Sequence, residues 1–170
     1  MPQQPRSLTQ LNPPNSFTLS GLSKICALPQ MKLGWIVMPH DPAIHHNLEL
    51  ISDTYLSVSG PIQKAAASWL PQRAQFQAPI RQRCHANLLQ IPARLKKSQW
   101  SLLPVEAGWT AILKGPTGTN EEDLSLRLLE NGFSVHPGFY YDLPFQQALV
   151  ISLLTPPDQL ASGLEAIISS

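Results

Sequence analysis

"FTLSGLSKICALPQMKLGWIV", Phe17 to Val37, sets two lysines into a mostly apolar stretch. Lys24 follows a Ser-Gly-Leu-Ser turn, and Lys32 comes eight residues later, just before Leu-Gly-Trp. Phe17-Thr18-Leu19 reads as a short strand ending at Ser20-Gly21. Leu33 to Met38 is a continuous apolar run, suited to a buried strand. The lysines therefore lie in a loop between two strands. An amine attacks a carbonyl only when neutral, and apolar neighbours or a second positive charge favour that form. Ile25, Cys26, Ala27 and Leu28 supply the first and Lys32 the second. Lys32, Ser20 and Ser23 are all able to donate hydrogen bonds to a phosphate. On composition alone, two surface lysines flanking a strand remain the plainer reading.

The full string "SGLSKICALPQMKLGW" resembles the lysine motif of class I/II aminotransferases, the fold type I family that uses pyridoxal 5'-phosphate. The resemblance implies that Lys24 is the Schiff-base lysine and later moves a proton between substrate and cofactor. It implies that Lys32, Ser20 and Ser23 hold the cofactor phosphate. Lys32 stands where the family usually has arginine, so the charge is kept and the bidentate fork is lost. Ser23 matches the serine before the lysine. The other phosphate serine belongs three residues before the lysine, and there this chain has Gly21, with Ser20 one step earlier.

Downstream, "YLSVSGPIQ" (Tyr55–Gln63) resembles the segment before the family's interdomain helix. "GFSVHPGFYYDLP" resembles its small-domain strand and loop, and "ALVISLLTPPDQLASGLEAI" its closing strand and last helix. The likeness runs from about residue 16 to the end. It implies amino-group transfer between an amino acid and a 2-oxo acid, and a homodimer or a complementary N-terminal half. Two departures stand out. Val150 occupies the place of an arginine that clamps the substrate carboxylate, and valine cannot pair with a carboxylate. No Asp, Tyr or Trp precedes Lys24, so the family's aspartate on the pyridine nitrogen is not found there. The chain thus looks like a C-terminal half. The competing expectation is an inactive fragment, or one part of a split protein.

The expected fold class is α/β: the end of a large cofactor-binding domain, then a small α+β domain. The expected divisions are 1–16, a polar lead-in; 17–92, the end of the large domain; and 93–170, the small domain. Asp41-Pro42 reads as N-cap and N1 of a helix carrying Ile44, Leu48, Ile51 and Tyr55. Ser59-Gly-Pro61 starts a second helix. A third begins near Pro79 with a break or kink near Gln90-Ile91, because an interior proline opposes the helix at Pro92. Trp100–Leu103 and Trp109–Leu113 read as strands. Asn120 caps a helix that opens Glu121-Glu122-Asp123 and closes at Gly132. Phe133–Val135 and Ala148–Leu154 read as strands, and Thr155-Pro-Pro157 opens the last helix.

Charged residues are 14% of the chain, against about a quarter in typical domains. The formal net charge of +1 with no basic run excludes a nucleic-acid partner, and no apolar run approaches about 18 residues, so no membrane span is expected. Cys26 and Cys84 match no metal spacing, and no metal is expected. With no signal peptide in "MPQQPRSLTQLNPPNS", the setting reads as cytoplasmic. Among the remaining candidates, His45 and His46 are adjacent and point apart on a helix. His136, before Pro137-Gly138, has two readings, a residue facing the site and, the plainer one, a loop histidine; Tyr140 and Tyr141 read as packing residues. Glu106 with Trp109 reads as part of a strand pair. "KGPTGTN" reads as a turn before a capped helix.

Overall fold

The computed structural model describes residue 10, residues 16–55 and residues 57–170. The lead-in expected over 1–16 otherwise falls outside them. The chain divides into two compact units, Met1–Pro79 and Ile80–Ser170.

In the first unit, β1 (Thr18–Gly21) and β2 (Gly34–Val37) form an antiparallel ribbon with Ser20 opposite Trp35 and Gly21 opposite Gly34. Between them lie α1 (Leu22–Ile25) and a 3-10 turn (Pro29–Met31). α2 (Pro42–Asp53) is capped by Asp41, whose carboxylate accepts from the Ala43 N–H at 2.8 Å. α3 spans Gly60–Trp69. The local core is Leu22, Cys26 and Ala66, flanked by Ile25, Leu33, Trp35, Ile62 and Trp69. β2 is not the buried strand its composition suggests: Ile36 and Val37 are about half exposed. Among the described residues the ribbon has two short strands, and the core beneath it takes Leu33 and Trp35 but leaves Ile36 and Val37 exposed. The apolar residues of α2 are likewise uncovered, with Leu50 and Ile51 exposed and no residue of the helix buried.

A long helix, α4 (Arg73–Leu95), runs through both Pro79 and Pro92. Of the break or kink expected near Gln90-Ile91, the break does not occur, since the helix is continuous there. Pro92 lies in the last turn, where a missing N–H removes a single bond. Ile91 and Leu95 on either side of it are buried in the second unit's core, and that packing holds the turn. The division expected at 92/93 therefore falls inside a continuous helix.

The second unit has a four-stranded antiparallel sheet: β3 (Ser101–Leu102), β4 (Thr110–Lys114), β5 (His136–Pro137) and β6 (Ala148–Ser152), in the order β3-β4-β6-β5. Leu113 and Ala111 oppose Leu149 and Ile151 across β4 and β6. They meet Leu124 and Leu128 of α5 (Glu121–Glu130) and Leu160, Leu164 and Ile167 of α6 (Pro157–Ser169) in one core. Asn120 caps α5, accepting from the N–H groups of Glu122 and Asp123. Gly132, at φ +86°, ends the helix, with Phe133 N–H donating to Leu128 O and Gly132 N–H to Leu129 O. The strand expected at Phe133–Val135 lies just after it, at His136–Pro137; Phe133 is still completing the helix cap. Asn87 of α4 is fully buried and satisfied, its amide donating to Leu153 O at 2.9 Å and Thr155 O at 2.8 Å.

Candidate active site

The loop between β1 and β2 is closed on itself. Leu22 N–H donates to Leu33 O at 2.9 Å, and Leu28 N–H to Leu22 O at 3.2 Å. Leu22 and Cys26 turn into the local core. The Gln77 side-chain amide donates to Ile25 O at 2.9 Å and ties the end of α1 to α4. Lys24 is then left on the exposed side of a short helix whose buried side is anchored. Its apolar sequence neighbours do not enclose it: they serve the core underneath.

Lys32 is exposed and sits at φ 50°, in the left-handed region, as does Ala27 at φ 56°. Each such non-glycine residue costs about 1 kcal/mol or more. Two in one loop mark a backbone held in a demanding path, as at many functional sites. Ser20 and Ser23 are half-buried. The structure thus brings all four residues named from the sequence onto one pinned strand–loop–strand element. They comprise a primary amine, a second cation and two hydroxyls. That set fits an aldehyde carbonyl beside a phosphate monoester. Among the described residues no group of three or more His, Cys, Asp or Glu side chains could hold a metal ion.

Gly21 has a steric reason. Its backbone is extended, but a Cβ there would lie 2.8 Å from Leu33 O and 3.2 Å from the Gly34 Cα. Gly21→Ser is therefore expected to lengthen the Leu22–Leu33 hydrogen bond and to cost about 1–2 kcal/mol, as overpacking does. Amide exchange at Leu22 checks this: unchanged protection in the variant would show that the loop has room for the side chain.

Val150 is almost fully buried in β6 and stands opposite His136 of β5. His136 is not a loop histidine but a strand residue, and its Nδ1 lies 2.7 Å from the Tyr141 hydroxyl. Tyr140 and Tyr141 are exposed, and their rings pack only locally, Tyr140 edge-on to Phe139 and Tyr141 stacked on His136. Glu106 lies in the connection between β3 and β4, as the sequence places it. Glu121 is a buried carboxylate that sequence reasoning took only as a helix-dipole partner. It accepts from Phe139 N–H at 2.8 Å and Ala148 N–H at 2.7 Å. Its placement at the helix start gave no signal of that role.

Residues 3–167 match the family model for aminotransferase class I and II. The chain belongs to that family. It matches none of the curated proteins. Among solved structures, a PLP-dependent aminotransferase from Streptococcus suis superposes with a TM-score of 0.77 at 19% identity, covering 90% of this chain and 41% of that one. An aromatic aminotransferase from Pyrococcus horikoshii gives 0.76 at 20% identity, over 90% and 42%. An aspartate aminotransferase from Thermotoga maritima gives 0.73 at 19%, over 90% and 39%. The fold is therefore part of that of a PLP-dependent transferase. The chain spans about two fifths of the length of these structures.

Proposed function

We propose that this chain carries the lysine and phosphate-binding part of a pyridoxal-phosphate-dependent aminotransferase. The reaction would pass an amino group from an amino acid to a 2-oxo acid. The observation that carries this reading is the family match across the lysine loop, in which Lys24, Lys32, Ser20 and Ser23 share one pinned element. Pyridoxal 5'-phosphate, when bound, supplies an aldehyde for the amine and an electron sink for the substrate carbon. On this reading Lys24 Nζ would hold the cofactor and, when released from it as a free amine, would take and return the substrate proton. Lys32 offers its ammonium to the phosphate as a point charge, and the Ser20 and Ser23 hydroxyls donate to phosphate oxygens. Residues 17–92 would belong to the large cofactor domain and 93–170 to the small one. That is a division by role, distinct from the compact units that meet at Pro79. The setting we propose is cytoplasmic and the assembly a homodimer. Among the described residues no helix is long and apolar enough to cross a membrane.

A second reading has its own support. Leu19, Ile36 and Val37 leave apolar side chains of the ribbon exposed. That suits a chain that acts only beside a complementary half, or one that is inactive alone. One experiment separates the two. The purified chain is incubated with pyridoxal phosphate, reduced with borohydride and mapped by peptide mass. The expected result is a cofactor adduct on Lys24 that disappears in Lys24→Ala. No adduct, or one spread over surface lysines and unaffected by Lys24→Ala, would leave the second reading.

A further inference from the structure

Of the six asparagines in the chain, Asn131 is the one followed by glycine. That pairing has a chemistry of its own. A backbone nitrogen can attack the side-chain amide carbon of an asparagine just before it, and glycine puts no Cβ in the way. Elsewhere the next residue is Pro13, Ser16, Leu48, Leu88 or Glu121. A side chain there crowds the approach, and proline has no N–H to give up.

In the folded chain Asn131 and Gly132 are both exposed, so water and base reach them. Three features at the end of α5 hold the pair unreactive. The Gly132 N–H, which must lose its proton, donates to Leu129 O at 2.9 Å. The Asn131 side-chain amide donates to Arg127 O at 2.8 Å, which turns it back along the helix. Asn131 sits at ψ 8°, where the Gly132 nitrogen eclipses the Asn131 nitrogen, whereas ring closure needs it eclipsed with Cβ. All three belong to one turn and are released together when it opens. Beyond Leu128, which is buried, Leu129, Glu130 and Asn131 are exposed. Helix ends of this kind open far more often than the core.

We propose that Asn131 is a deamidation site gated by the last turn of α5. With the turn open, the Gly132 nitrogen gives up its proton to base and bonds to Asn131 Cγ. The Cγ–Nδ2 bond breaks and Nδ2 leaves as ammonia. The succinimide ring then takes up water at either carbonyl, giving aspartate or isoaspartate. No oxidant or cofactor enters. Neither product rebuilds the cap. Both put a carboxylate in place of the amide donor on Arg127 O, at the helix end where carbonyl oxygens already gather negative charge. Isoaspartate also adds a carbon to the main chain just before Phe133, whose N–H donates to Leu128 O at 2.8 Å and whose side chain packs against the core. Each opening trapped in this way leaves the second unit looser than before.

The test incubates the full chain at mildly alkaline pH, native and in guanidinium chloride. It follows the Asn131 peptide by mass and by isoaspartate content. Conversion is expected in both, about tenfold to hundredfold slower in the native chain, as holding two cap hydrogen bonds implies. Leu129→Gly weakens the turn without touching the reacting atoms or the core. It is expected to react about fivefold faster than the parent when native, and at the parent's rate in denaturant. Amide exchange at Gly132 in the parent measures the opening without any substitution, and its protection is expected to match the slowing. No conversion in denaturant, or native conversion as fast as in denaturant, overturns the proposal. So does a Leu129→Gly chain that reacts like the native parent, or a slowing far from the protection at Gly132.

Discussion

Glu121→Ala is expected to destabilise the second unit by about 3 kcal/mol. The carboxylate is buried and holds two backbone N–H groups, those of Phe139 and Ala148. A hydrogen bond to a charged group contributes about 1.5–3 kcal/mol, and a buried donor left without a partner adds its desolvation cost. The Ala148 N–H is buried at the start of β6, so losing the carboxylate oxygen strands it away from solvent. The site is also tightly built. A Cβ on Gly138 would lie 2.7 Å from the Ala148 Cβ and 3.2 Å from Glu121 Oε1, so the segment cannot simply close over the gap with larger residues. Glu121→Gln keeps one acceptor oxygen and is expected to lose about half as much. Urea unfolding followed by far-UV circular dichroism measures both. An alanine variant within about 0.5 kcal/mol of the parent would mean that the two N–H groups find other partners.

How much of this could be read in advance follows from the range of the interactions. Asp41, Asn120 and Gly132 were legible because caps act within three or four residues, and each has the side chain or positive φ that its place requires. β4 and β6 were legible from their apolar runs. The path of α4 through Pro92 was not, because it depends on the burial of Ile91 and Leu95 against residues far along the chain. The exposure of Ile36 and Val37 was not legible either: an apolar run records what a strand can bury, not whether a neighbour is present to bury it. The residues proposed for the site, Lys24, Lys32, Ser20 and Ser23, lie in one contiguous motif, so the proposal for them needs only the string. The Tyr141–His136 bond depends on a turn whose shape is fixed from Glu121, and the pairing of Val150 with His136 depends on strand register. Neither appears in local composition.

Leu149→Ala is expected to be more costly still, at about 3–4 kcal/mol. Leu149 is fully buried in β6, with Leu113 of β4 on one side and Pro137 of β5 on the other. Its side chain lies in the core formed with α5 and α6. Truncating a buried leucine forfeits its transfer free energy and leaves a void whose cost depends on how far the walls can move. Here two flanking strands are held in register and both helices are anchored by several leucines, so collapse is restricted and the loss belongs in the upper half of the usual range. Leu149→Met nearly conserves volume and is expected to cost under about 1.5 kcal/mol. The pair separates a packing effect from mere disturbance of the strand. Equal losses in both variants would show that the backbone of β6, rather than the filled volume, sets the stability. A small loss in Leu149→Ala would show that the core relaxes around the void. In either case amide exchange over Ala148–Ser152 reports where the change is felt, since protection there is limited by opening of the sheet that Leu149 closes.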